Sequence, residues 1–539
     1  MSVTRPDPTT TADAIETPHP TDTALRRRIA ATLLPGFVGT TLPGWLEERL
    51  RNGLGGVCLF GQNVESVAQL RALTDAIYAA NPDAIVAIDE EGGDVTRLYY
   101  ESGSPFPGNA VLGRLGDAAY TEAVARRVGE ELHAVGVNLD LAPDVDINSN
   151  ADNPVIGVRS FGSAPEVVAE QGAAWTRGLQ SAGVAVCAKH FPGHGDTAQD
   201  SHLELPEVDL TADQLREREL LPFRAVVEAG ARTVMTSHIL LPRIDGDLPA
   251  TFSRVVVEGM LRGELGFTGV VVTDALDMHG ASGERGIPEA AVLALIAGCD
   301  LLCIGTENTD AQLAGIEDAV AAAIAAGRLA QSRVEEAGAR VLALAEGVRS
   351  DAAAHTLSPS SAGVRGRAAD IDEPDVRRAL EAFDVSDHAT AWLHDHHGRY
   401  SIVRIDTVAN IAIGQAPWGP FADVAAAAGT REAGADRATS RFAANPLVVF
   451  TEGDHPDLVL AASSPVLVVG KDNHRHAFAR AAIDRLRAER DSVLVVDMGW
   501  PSDDRAYADI ATFGASRLIG RALIELLDRD PAAHAGEAP

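Results

Sequence analysis

The sequence predicts an α/β protein built as a (β/α)8 TIM-type barrel followed by a smaller α/β sandwich domain. Three observations carry the prediction. At 539 residues the chain is too long for one hydrophobic core. Short β-branched runs alternate with amphipathic Ala/Leu/Arg/Glu stretches about eight times, and polar side chains recur where the runs end. An open doubly wound sheet shares the alternation, but the number of repeats and the recurrent polar strand ends favour the barrel.

Residues 1–24, rich in Thr, Pro and Asp, read as a disordered leader, and the catalytic barrel is expected over 25–348. A helical segment at 25–32 runs into apolar residues around Phe37, the first strand. Further strands are expected at 56–60, 84–88, 136–141, 184–188, 232–236, 269–273 and 300–304, with helices at 66–80, 118–134, 164–182 and 211–229 between them. Asp89, Asp144, Asp146, Lys189, His190, His238, Asp274 and Thr306 all follow such strands, so a barrel would direct them into one mouth. A helix at 332–348 closes this domain. Residues 349–375, around Ser358-Pro359-Ser360-Ser361, read as a linker. The second domain, 376–539, has candidate strands at 400–405, 447–450, 458–462, 466–469 and 492–496 and helices at 477–489 and 515–527. No GxGxxG follows a strand there, and no cofactor is expected.

Composition narrows the partners. A formal net charge of −32 repels nucleic acid phosphates and anionic membrane surfaces, so neither is expected as a partner. Cys58, Cys187, Cys299 and Cys303 sit in apolar runs without metal-ligand spacing, which suits free core thiols in a reducing compartment. With no apolar leader and no run of eighteen apolar residues, the expected location is cytoplasmic.

The stretch 187–202 brings one Lys, three His and two Asp around a Pro-Gly-His-Gly turn. Three readings compete: a metal site built from His190, His194, Asp196, Asp200 and His202; a turn whose histidines bond backbone carbonyls; and an acid/base pair of Asp200 and His202. In an extended loop, residues two apart project to one side, so the carboxylate would orient the imidazole and raise its pKa, keeping a proton available. That pair needs a nucleophile. Asp274, at the end of the apolar run Gly269–Thr273, is the candidate for attack on an anomeric carbon, with helix capping as the alternative.

The strings Lys189-His190-Phe191-Pro192-Gly193-His194-Gly195-Asp196 through Asp200-Ser201-His202, Asp89-Glu90-Glu91-Gly92-Gly93-Asp94-Val95-Thr96-Arg97, Ile156-Gly157-Val158-Arg159-Ser160-Phe161-Gly162 and Thr273-Asp274-Ala275-Leu276-Asp277-Met278 resemble family 3 glycoside hydrolases, and more narrowly their β-N-acetylglucosaminidase branch of the cell-wall recycling type. The resemblance covers about residues 30–345. Beyond the barrel it is one of layout, with Gly514-Ala515-Ser516-Arg517 the most familiar stretch. Two departures stand out: Glu90 where a neutral Gln is common, and Val158 where a polar residue is common.

The resemblance implies a retaining exo-β-N-acetylglucosaminidase acting on muropeptides or chitin-type oligosaccharides. Asp274 would be the nucleophile, His202 the acid/base and Asp200 its partner, while Asp89, Arg97, Arg159, Lys189 and His190 would hold the sugar. No metal is implied, and the protein would be a monomer or homodimer. Because an imidazole does not repel an anion as a Glu base would, phosphate is an alternative acceptor, which makes a retaining phosphorylase the second reading. A metal-dependent barrel hydrolase is the third.

Overall fold

A computed structural model of the chain describes residues 20–197, 199, 205–355, 371–396, 398–407, 410, 412–414, 416–422 and 441–529. The leader expected at 1–24 falls almost wholly outside them, as do Asp200 and His202. Among the described residues, eight short strands build the first domain: β1 (Leu33–Leu34), β2 (Gly56–Leu59), β3 (Ile85–Ile88), β4 (Leu139–Asp140), β5 (Ala185–Phe191), β6 (Thr233–Thr236), β7 (Val270–Val272) and β8 (Leu302–Cys303). β2 to β7 pair in parallel with their sequence neighbours, and β1 pairs with β8 through Leu33 with Leu302 and Leu34 with Cys303. A parallel bridge from Val272 to Leu301 joins β7 to the β8 side. The Cys58 amide, donating to Pro35 O at 2.9 Å, joins the end of β1 to β2 and completes the ring.

The strands are apolar on both faces because both are covered, and their residues divide with a period of two. Cys58, Ile85, Ala87, Leu139, Ala185, Cys187, Val272 and Cys303 cluster inside the barrel, whereas Val57, Leu59, Val86, Ile88, Val186 and Val271 pack outward against helices. All four cysteines are free and buried, as their apolar settings suggest. The last helix of this domain, Gln331–Ala354, places Val341, Leu344 and Val348 against the interior cluster at the amino-terminal end of the strands. It runs six residues past the expected end at 348, and the next helix begins at Glu373.

Several helices follow their sequence signals closely. Ser66 caps Val67–Ala80 through a reciprocal box with Gln69, and Asp117 caps Ala118–Ala134. The helix expected over 211–229 divides into Ala212–Glu217 and Leu220–Glu228. Pro222 lacks the amide that would bond the Arg218 carbonyl, so a continuous helix cannot pass this point unbroken. β5 runs to Phe191, three residues past its expected end, since pairing with β6 resumes at Phe191 and Thr236 after a register shift. Lys189 and His190 therefore project from a strand rather than from a loop.

The second domain is a six-stranded sheet ordered β11-β10-β12-β13-β14-β9, formed by β9 (Asp384–Val385), β10 (Ser401–Asp406), β11 (Leu447–Thr451), β12 (Val466–Gly470), β13 (Val493–Asp497) and β14 (Ile510–Ala511). It is parallel except for β9. The strand expected at 458–462 is instead a 3-10 turn, Pro456–Ala461, which buries Val459 while leaving Leu458 exposed. β9 and β14 were too short to stand out as apolar runs.

The carboxyl edge of this sheet faces the barrel mouth. Ala515, after β14, donates its amide to Asp94 Oδ1 at 2.7 Å, Asn410, after β10, donates to Pro154 O at 3.0 Å, and Trp500, after β13, lies beside Gly157. Among the described residues no helix is long and apolar enough to cross a membrane.

Candidate active site

The ends of the barrel strands enclose a cleft of about 410 Å³ lined by Asp89, Arg97, Arg159, Lys189, His190 and Asp274, among others. A larger hollow of about 660 Å³ lies at the opposite end of the barrel, beside Arg27, Asp83 and Glu335, away from every strand-end group named above.

The floor of the cleft is an ion network. Lys189 Nζ lies 2.7 Å from Asp89 Oδ1 and 2.8 Å from Glu91 Oε1. Glu91 also receives Arg159 as a fork, Nη2 to Oε1 at 2.8 Å and Nε to Oε2 at 3.0 Å. Burial alone would push the Glu91 carboxyl up, but Arg159 and Lys189 hold it well below the usual carboxylate range. Burial likewise opposes the charge on Lys189, and Asp89 and Glu91 outweigh it, so the ammonium titrates above its ordinary value. Held this way, Lys189 and Arg159 keep fixed donors, and Asp89 and Glu91 fixed acceptors, at the floor of the cleft.

Behind the floor, His190 Nδ1 meets Asp146 Oδ2 at 2.6 Å, and His190 Nε2 lies 3.5 Å from Arg159 Nη2. Asp146 Oδ1 accepts the His194 amide at 2.7 Å. Asp144 is fully buried 3.5 Å from Arg159, and burial, reinforced by the charge of Asp146, pushes its carboxyl well above the ordinary value. Burial lowers His194 to about 4, so its ring is neutral at physiological pH.

Asp274 follows β7 with its amide on Thr236 O at 3.3 Å, and its Oδ1 accepts the Ala275 amide at 2.8 Å. The helix that follows begins only at His279, with Met278 at its N-cap, so Asp274 does not cap it. The half-buried carboxylate instead shares the cleft with the ion network.

The glycosyl hydrolase family 3 N-terminal domain matches residues 46–344. The chain belongs to this family. A β-hexosaminidase A of Pseudoalteromonas piscicida is 41% identical over 285 residues, a match covering 49% of this chain and 48% of that protein, so the chain spans about half that relative's length. A β-hexosaminidase of Alkalilimnicola ehrlichii is 40% identical over 298 residues, 53% of this chain and 84% of the relative. Over nearly the whole chain, the structure resembles a family 3 β-N-acetylglucosaminidase from Paenibacillus sp. strain FPU-7, with a TM-score of 0.78, 31% identity and coverage of 94% and 96%.

In this family 3 chain, six of the eight residues that the resemblance assigns to catalysis or sugar binding meet in one cleft. The other two, Asp200 and His202, lie outside the described residues. The strand-end rule also marked His238, Asp144 and Asp146, which are fully buried and do not line the cleft; His238 bonds Thr251 Oγ1 and Ala275 O. The histidine loop disperses: His190 turns to Asp146, Asp196 pairs with Arg218, and the His194 ring nitrogens have no hydrogen-bond partner among the described residues. Among those residues, Asp144, Asp146 and His190 bring possible metal-ligand atoms within 4.8 Å of one another. Sequence reasoning missed Glu91, the acid shared by Lys189 and Arg159. Its spacing of two from Asp89 was the available signal, because in extended chain it projects to the same side.

Proposed function

We propose that the protein is a retaining exo-β-N-acetylglucosaminidase that removes terminal β-linked GlcNAc from muropeptides or chitin-type oligosaccharides. The observation that carries this reading is the position of Asp274: a carboxylate at the end of β7, in the same cleft as the Asp89–Lys189–Glu91–Arg159 network. The sugar itself is suggested by the β-hexosaminidase and β-N-acetylglucosaminidase relatives.

In this reading Arg97, Arg159, Lys189, His190 and Asp89 grip the hydroxyls of the terminal sugar and hold its anomeric carbon over Asp274. An Asp274 oxygen bonds to that carbon as the glycosidic bond breaks, and the departing oxygen takes a proton from His202, oriented by Asp200. Water then attacks the glycosyl-aspartate and gives a proton to His202, which restores the enzyme and leaves the sugar with its original configuration.

The test is to offer aryl β-N-acetylglucosaminide and aryl β-glucoside, with and without millimolar phosphate, while following the first-formed anomer by NMR. The expected product is β-GlcNAc, released with or without phosphate. Sugar 1-phosphate as the main product would move the assignment to a phosphorylase, and failure to turn over the N-acetylglucosaminide would end it.

A further inference from the structure

Both arginines of the cleft are tied to the second domain, Arg97 directly and Arg159 through the Val155 carbonyl. Arg97 Nη2 donates to Ala412 O at 2.8 Å, and Ala412 is itself part of the cleft wall. The Val155 carbonyl accepts from Arg159 Nη1 at 3.2 Å and from Asn410 Nδ2 at 2.9 Å. Asn410 Nδ2 also reaches Pro154 O at 3.0 Å, while its Oδ1 accepts the Ala412 amide at 2.9 Å. One asparagine side chain thus shapes the turn that receives Arg97 and pins the backbone against which Arg159 rests. Gly414 fits the same contact: its φ is +75°, and a Cβ there would come 2.8 Å from the Tyr100 hydroxyl, so the turn lies tight against the barrel.

We infer that the second domain is a working part of the sugar subsite and that Asn410 is its positioning residue, setting affinity for the terminal sugar through Arg97 and Arg159. This rests on reading the cleft as that subsite. The physical reason is preorganisation. An arginine side chain loses much rotamer freedom when it binds a hydroxyl, and a carbonyl already holding it lowers that loss. Such an effect acts on the bound sugar before and during reaction alike, so it belongs in KM rather than in kcat.

The experiment compares the full-length protein with Asn410→Ala and Asn410→Asp, reading KM, kcat and inhibition by free GlcNAc, together with hydrogen exchange at residues 94–99 and 153–160 without sugar. Asn410→Ala should raise KM and the GlcNAc inhibition constant about 10-fold, leave kcat within about 3-fold, and speed exchange in both segments. Asn410→Asp keeps the acceptor for the Ala412 amide but sets a carboxylate against the 154 and 155 carbonyls. It should therefore not rescue; full rescue by Asp would reduce Asn410 to a local turn former and overturn the inference. Unchanged GlcNAc inhibition in Asn410→Ala, with the parent protein inhibited normally, would overturn it as well. If the parent neither binds nor cleaves the N-acetylglucosaminide, the functional reading fails by itself. Exchange then decides the coupling: faster exchange in both segments upholds the role of Asn410 as a support for the cleft, and unchanged exchange refutes it.

Discussion

Asp146 and His190 meet at 2.6 Å, Oδ2 to Nδ1, with both side chains buried. The same carboxylate accepts the His194 amide, and although burial would raise it, His190 holds it below its ordinary value. In a neutral ring this fixes the proton on Nδ1 and turns Nε2 toward Arg159 and the cleft. Asp146→Asn keeps the shape and removes the charge that anchors the imidazole. It should lower kcat/KM about 10- to 100-fold, the range for losing a charge-assisted hydrogen bond. Steady-state kinetics with an aryl N-acetylglucosaminide measure this, and an unchanged kcat/KM would show that His190 does not depend on Asp146.

Asp274→Ala should lower kcat by at least about 10³-fold, since in the proposed mechanism no other group forms the glycosyl-enzyme. Its thermal unfolding should match that of the parent, because Asp274 is only half-buried and caps no helix. His202→Ala should slow natural oligosaccharides more than aryl glycosides whose leaving groups depart unprotonated. Near-normal turnover by Asp274→Ala would sink the covalent mechanism.

What the sequence disclosed follows from how local each feature is. The barrel was legible because each strand is a short apolar run and each helix carries its own cap, as Ser66 and Asp117 do. Asp89, Lys189 and Asp274 were legible because a barrel sends every strand end to one mouth. Rules of this kind cannot tell a residue that lines the cleft from one behind it, so His238 and Asp144 looked equivalent to Asp89. Glu91 escaped because its importance lies in being shared by Lys189 and Arg159, 98 and 68 residues away. Asn410 escaped for a similar reason: it belongs to the other domain, and nothing local announces a contact 255 residues distant.

Glu90 offers a pH test. It is fully buried, Oε2 accepts from Thr96 Oγ1 and from the Arg97 and Leu98 amides, and Oε1 has no partner among the described residues. Burial raises its carboxyl to about 7, against about 4.3 in an unfolded chain. Between these values the folded protein holds a proton that the unfolded chain has lost. The stability Glu90 contributes is therefore complete below about pH 4.3 and falls as pH rises through about 7. Glu90→Gln never ionises. Its stability relative to the parent should climb by on the order of 3 kcal/mol across that window and then level off. Urea unfolding at several pH values reads this difference directly, and a flat difference would show that Glu90 stays ionised in the folded protein.

Its neighbour Glu91 should behave in the opposite sense. Lys189 and Arg159 both close on this carboxylate, all three are almost wholly buried, and the pair of cations holds the acid below its ordinary range despite burial. Glu91 thus contributes stability that is present above the unfolded carboxyl value of about 4.3 and is lost as pH falls further. Glu91→Gln removes the charge and leaves Lys189 with Asp89, and Arg159 with Asp144, as the nearest acids. Breaking one side of a buried ion pair typically costs about 3–5 kcal/mol, because the remaining charge has been taken out of water without compensation. Asp144 is a poor substitute, since its own carboxyl is pushed toward the neutral form. Glu91→Gln should therefore unfold about 3–5 kcal/mol more easily at pH 7, and this deficit should shrink toward pH 3 as Glu91 of the unfolded parent chain takes up a proton that the folded protein does not. Denaturant melts at pH 7 and pH 3 decide the matter, and an equal deficit at both would mean that packing, not charge, makes Glu91 important.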